Sequence, residues 1–282
     1  MQRLFQGLAV LAALITVSCG SEAPANKMGT PEYFWSGARE TFGMKDYAKT
    51  ANHLENLTKT NNQFTNEAYP WRLILLSGLA DGYGGLADIL ETGGKNNRGA
   101  ILTFRRPMTE ARTQAGRWAL QFAQAFEEFE KNAKTGTVVV AMPSPGGSTV
   151  PSFQETQIEK GILKSDADLA AARSKTIDRY MLLSLCRALG VKDDSTKALQ
   201  MLQSGGGKVE VPRAVFLTGM AQALYGTSDL FTAKKLDQPD RVDFLTKHAL
   251  GALEGLPETK EIKDLNKKIS ERQKKSKDKK SA

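Results

Sequence analysis

Cysteine and histidine are scarce in this chain, whose 282 residues carry two of each. Two cysteines allow no disulfide framework, so stability has to come from packing of a core of ordinary size. Cys186 lies in the apolar run Tyr180-Met-Leu-Leu-Ser-Leu-Cys-Arg-Ala-Leu189 and reads as a small buried hydrophobe, not a nucleophile. His53 and His248 belong to no His-x-x-x-His or Cys/His cluster, so no metal site is assigned, and both read as surface or satisfied interior groups. A Gly-x-Ser-x-Gly elbow is missing, and so is a Gly-x-Gly-x-x-Gly turn following a strand. Gly93-Gly94-Lys95-Asn96 fails as a phosphate loop, because Ile89 occupies the first glycine position and Asn96 the position of the magnesium-holding hydroxyl. Gly205-Gly206-Gly207-Lys208 fails likewise at Leu202 and Val209, and both stretches read as turns. No catalytic residue, cofactor or metal follows, and the chain reads as a non-enzyme.

A basic face is lacking too, despite a formal net charge of +8. Residues Lys267 to Ala282 hold eight Lys or Arg against two acids, so the surplus sits in the tail and the body is close to neutral. A nucleic-acid partner needs basic charge on the fold itself. None is expected here.

What the sequence does have begins at its start. Arg3 precedes an apolar run from Leu4 to Ile15, which closes on Thr16-Val17-Ser18-Cys19-Gly20. Positive start, apolar centre and small residues at the cut are the layout of a secretory signal over residues 1–18. The run is shorter than the roughly 20 residues a spanning helix requires. Val17-Ser18-Cys19 resembles the lipobox of bacterial lipoproteins, with Thr16 standing where Leu is usual. The resemblance implies that Cys19 is lipidated and becomes the first mature residue, which leaves Cys186 without an internal partner. Gly20, not being aspartate, resembles the signal for onward sorting to an outer membrane. The expected location is the cell envelope, facing the periplasm or exterior.

Residues 19–30 are small, polar or proline and read as a tether. After them the apolar residues recur at helical spacing almost throughout. Pro31 opens a helix carrying Phe34, Ala38 and Phe42, and Gly43 stops it; a second follows from Asp46 with Tyr47, Thr50, Ala51, Leu54 and Leu57 on one face. Tyr69 to Glu91 is apolar but holds Gly78, Gly82, Gly84 and Gly85, which imply close helix crossing, a break near Gly84-Gly85, or a backbone-lined ligand site. Pro107 to Lys131 carries Met108, Ala111, Ala115, Trp118, Phe122, Phe126 and Phe129 on one buried face, and Glu127, Glu128 and Glu130 are assigned to solvent. Further helices are expected from Ser165, capped through Asp168, to Gly190, then over Ser195–Gln203, Arg213–Tyr225 and Asp240–Glu254, with a last one around Ile262, Leu265 and Ile269. Any strand is expected near Val138-Val139-Val140 alone.

The fold class is therefore all-α, organised as an N-terminal helical region over 31–134, a Pro/Gly/Ser-rich segment over 135–160, a C-terminal helical region over 161–270 and a basic disordered tail over 271–282. Residues 135–160 read either as a linker between two helical halves or as a binding loop. Phe34-Trp35, Phe42 and Asp46-Tyr47 resemble a tetratricopeptide unit, and Ala252-Leu253-Glu-Gly-Leu-Pro257 resembles the close of another. That resemblance implies antiparallel hairpins stacked as an α-solenoid with a groove for a protein or peptide partner. The leading reading is a lipid-anchored adaptor. The alternative is a small-molecule binding lipoprotein associated with a transporter, with a deep pocket lined by Trp71, Tyr83 or Trp118. Membrane contact is expected through Cys19, and contact with an anionic surface through the basic tail.

Overall fold

The computed structural model describes residues 27–145 and 157–280. The signal segment, Cys19 and most of the tether lie outside the described residues, as does 146–156 of the Pro/Gly/Ser-rich segment. Nine helices are described: α1 (Pro31–Gly43), α2 (Tyr47–Thr58), α3 (Thr65–Asn96), α4 (Ile101–Asn132), α5 (Asp166–Leu189), α6 (Ser195–Ser204), α7 (Arg213–Ser228), α8 (Pro239–Leu253) and α9 (Lys260–Lys280). Two short strands, β1 (Thr137–Ala141) and β2 (Lys208–Pro212), pair antiparallel with Val139 opposite Glu210. Among the described residues the protein is all-α apart from this ribbon.

Local chemistry sets several helix ends. Thr30 caps α1 by accepting from the Tyr33 amide, and Pro31 fills the first helical position. Asp46 and Asp194 cap α2 and α6. Ser165 accepts from the Asp168 amide at 3.2 Å, while Asp168 turns back to the Lys164 amide at 3.3 Å. Gly190, left-handed at φ 68°, closes α5.

Helix α3 is the axis of the molecule. Its 32 residues span about 48 Å and pack against α2, α4, α5, α7 and β1. It is long and apolar enough to cross a membrane, yet 78% of its most apolar window is buried inside the protein. It runs unbroken through Gly84-Gly85 and on to Asn96, so Gly93 and Gly94 form its last turn instead of a loop. A Cβ on Gly93 would lie 2.1 Å from the Ile158 carbonyl oxygen, and this is why glycine stands there. Helix α4 likewise starts earlier than Pro107, at Ile101, and folds back along α3 through a single 3-10 turn, Arg98–Ala100.

One core runs from Ala38 to Ile269 and joins the two helical regions. A smaller cluster of Leu86, Leu90, Phe104 and Ile158 sits beneath the α3–α4 connection. Helices α5 and α7 stack side by side, α8 and α9 follow, and α4 also touches α7 and α8.

Three further expectations are corrected. A second strand exists at Lys208–Pro212, where Val209 and Val211 face Val140 and Val138 across the ribbon. The tail is helical to Lys280 because α9 is held beyond Ile269: the Arg272 guanidinium lies 3.9 Å from the centre of the Tyr225 ring, and Ser276 Oγ donates to the Pro239 carbonyl at 2.6 Å. Glu128 does not simply face solvent, since it accepts at 2.5 Å from Arg72, a guanidinium buried between α2, α3 and α4.

Candidate functional site

The glycines of α3 decide where one open concavity lies. A Cβ on Gly78 would come within 2.9 Å of the Met181 Cα and one on Gly82 within 3.0 Å of the Ile177 Cα, so α5 approaches α3 almost backbone to backbone. The Ser77 and Ser184 hydroxyls hydrogen-bond each other in this crossing, and Ser184 Oγ donates to the Ile74 carbonyl at 3.0 Å. One turn further on, Arg187 reaches Asp81 at 2.5 Å. Near the crossing the Tyr180 ring edge takes the space over Gly85, where a Cβ would meet it at 2.3 Å. Further along, the helices part.

Residues 157–164 fill one side of that opening. They are tied to the end of α3 by Asn96 Nδ2, which donates to the Glu159 carbonyl at 2.8 Å, and by Asn97 Nδ2, which donates to the Gly161 carbonyl at 3.0 Å. The result is an open groove of about 940 Å³. Asp88, Glu159 and Asp168 set three negative charges along it, and Lys164, Lys175 and Arg179 three positive ones; Ile89 and Ile162 add apolar surface. Lys175 and Arg179 stand one helical turn apart on α5, and the Arg179 guanidinium sits 5.8 Å from the centre of the Tyr180 ring. Asp88 is paired with Lys235 at 3.1 Å. Burial, with the Asp81 carboxylate second, pushes the Tyr180 phenol up, so it stays protonated. Such an arrangement can hold an extended ligand by alternating charge and apolar contact.

A second concavity of about 470 Å³ lies between the Asp229–Pro239 loop and α9, lined by Phe231, Val242, Lys268 and Lys275 among others. Arg272 at its edge is committed to the fold, donating to the Tyr225 carbonyl at 2.7 Å and to Ser228 Oγ at 2.9 Å.

The residues named from sequence fall elsewhere. Cys19 lies outside the described residues. Trp71 and Trp118 are core residues, and neither they nor the half-buried Tyr83 line either concavity. Their indole Nε1 atoms have no hydrogen-bond partner among the described residues. Val138 and Val140 are packed in the core, and 146–151 lie outside the described residues. Cys186 is fully buried, its Sγ 3.8 Å from Ser195 Oγ, and burial pushes the thiol up to about 11. His53 and His248 are half-buried beside aromatic rings, and burial lowers both imidazoles. Among the described residues no group of His, Cys, Asp and Glu is placed to hold a metal ion.

Lys175 and Arg179 were not singled out from sequence, and Tyr180 was read only as part of an apolar run. The available signal was weak: two cations four apart on the polar side of α5, opposite a glycine-rich helix. No protein-family model, curated protein or solved structure matches this chain.

Proposed function

We propose that this protein is an exported, lipid-anchored helical adaptor that holds an extended peptide segment of a protein partner in the groove between α3 and α5. The observation that carries the reading is the form of the groove: open at the surface, balanced in charge, and lined by exposed Lys175 and Arg179 instead of buried tryptophan. The tetratricopeptide-like part of the reading draws support from the α1–α2 hairpin, where Phe42 packs edge-on to Tyr47 at 5.5 Å and Ala38 is fully buried, and from the side-by-side stacking of α5 and α7. The anchor rests on the Val17-Ser18-Cys19 pattern. It places the protein in the envelope, with the outer membrane as destination.

A photo-crosslinking residue at Lys175, installed in cells carrying the full chain, tests the groove against the same residue at exposed Lys197 on α6. A discrete adduct from position 175 alone, lost on Lys164→Glu with Arg179→Glu, is the expected result. Equal adducts from both positions would reject the groove as the site. Release of the protein from membranes on Cys19→Ala tests the anchor separately. The second reading, a small-molecule carrier for a transporter, draws on the volume of the groove, which lies within the roughly 300–1,000 Å³ of ligand pockets. Mass spectrometry of the purified protein for a co-purifying small molecule distinguishes it.

A further inference from the structure

Of the large apolar side chains that stand exposed among the described residues, three gather at one end of the molecule, the turn between α3 and α4. Ile101 is 51% exposed, Leu102 75% and Ile162 40%. The first two open α4, and Ile162 belongs to the segment that Asn96 and Asn97 tie to this turn. Phe104 and Ile158 behind them are buried, so the turn is anchored and its apolar residues are held outward on a firm base. Large apolar side chains grouped at a surface mark a contact site.

The charge on the α3–α4 turn itself is of one sign. Lys95, Arg98, Arg105 and Arg106 fall between residues 95 and 109, and that stretch contains no acid. Lys95 and Arg106 pair with Glu91 and Glu110 at its margins, at 2.7 and 2.9 Å. Arg98 and Arg105 are exposed and make no ion pair among the described residues. Each stands three or four residues from the Ile101-Leu102 pair, one before it and one after it.

We infer that the α3–α4 tip docks on an anionic lipid surface, with Ile101 and Leu102 entering the headgroup boundary and Arg98 and Arg105 meeting lipid phosphates. Apolar side chains flanked by cations bind such surfaces by adding apolar burial to charge attraction. Arginine suits the edge because its stem lies along apolar surface while its head meets phosphate bidentately. An acidic protein face would satisfy the arginines but gives no reason for a protruding Leu102. This contact is separate from the basic stretch of α9 and does not depend on lipidation of Cys19.

The test uses the full chain with Cys19→Ala, labelled with an environment-sensitive fluorophore at Leu102→Cys or, as control, at Met44→Cys in the exposed α1–α2 turn. The buried Cys186 takes no label. The proteins are mixed with phosphatidylcholine vesicles with or without phosphatidylglycerol, and lipid-borne quenching is read. Position 102 should be quenched on the anionic vesicles and not on the neutral ones, while position 44 stays unquenched on both. Arg98→Ala with Arg105→Ala should lower the docked-to-undocked ratio about thirtyfold at low salt, and high salt should have a similar effect. Because both arginines and Leu102 are exposed, unchanged circular dichroism will accompany these variants. Equal quenching at 44 and 102, indifference to phosphatidylglycerol, or a response to polyglutamate in place of vesicles would each overturn the proposal.

Discussion

Helix α3 meets its two long neighbours by opposite means. Towards α4 it presents Tyr69, edge-on to Phe129 at 6.1 Å, in a core that also holds Phe122 and Phe126, all nearly or fully buried. Towards α5 it presents Ser77, Gly78, Asp81 and Gly82, and two backbones come together around hydroxyls and one ion pair. The first contact depends on volume, and the second on its absence. At a glycine crossing backbone meets backbone with no side chain between, and in a close-packed interior this fixes the distance between the helices. The groove opens beyond the fixed crossing, so its width is set by the α5 side.

The largest effect expected on this contrast is Phe122→Ala, which should cost about 3 to 5 kcal/mol through the cavity left in the α4 contact. Urea unfolding measures it, and an unchanged midpoint would show that this face does not carry the core. Asp81→Ala on the other side should cost about 3 kcal/mol, because the Arg187 guanidinium loses its partner while only 23% exposed. Replacing both residues by apolar ones of similar size should recover most of that loss. Gly78→Ala separates the two contacts most directly. Helix propensity alone favours alanine by about 1 kcal/mol, but the new Cβ meets the Met181 backbone at 2.9 Å. Overpacking of about 1 to 3 kcal/mol should win, and a gain in stability would mean that the crossing is looser than described.

Smaller effects follow from titration. Burial lowers His53 and His248 below their ordinary 6.5, so the unfolded chain binds these protons first as pH falls. Their contribution to stability is fully present above the unfolded-state value and is lost on acidification through it. The midpoint of thermal unfolding should drop between pH 7.5 and 5.5, and His53→Phe with His248→Phe should flatten that drop. Least of all should Cys186 respond: with its thiol protonated and buried, it should resist a thiol reagent at neutral pH until the protein unfolds. Fast modification of the native protein would place it on a mobile element.

Most helices were legible because a 3.6-residue stripe and a capping residue are written into consecutive positions. Ser165 with Asp168, Pro31 and Gly190 each marked a terminus that the structure keeps. The strand at Lys208–Pro212 was not legible. Five residues alternating Lys-Val-Glu-Val-Pro acquire strand geometry only by pairing with β1, which lies some seventy positions earlier. The end of α9 escaped for a similar reason, since its last turns have few apolar residues of their own and are held by Tyr225 and Pro239.

By itself, then, the sequence determined the helical class, most helix boundaries and the identity of the core face of α4, because these depend on neighbours within one or two turns. Only the tertiary structure decided what the glycines of α3 are for, where the groove lies and which charges line it. Those features arise between Gly78 and Met181, Asn97 and Gly161, or Asp88 and Lys235. Such pairs lie 64 to 147 positions apart in the chain, and no local pattern encodes which distant surface a helix face will meet.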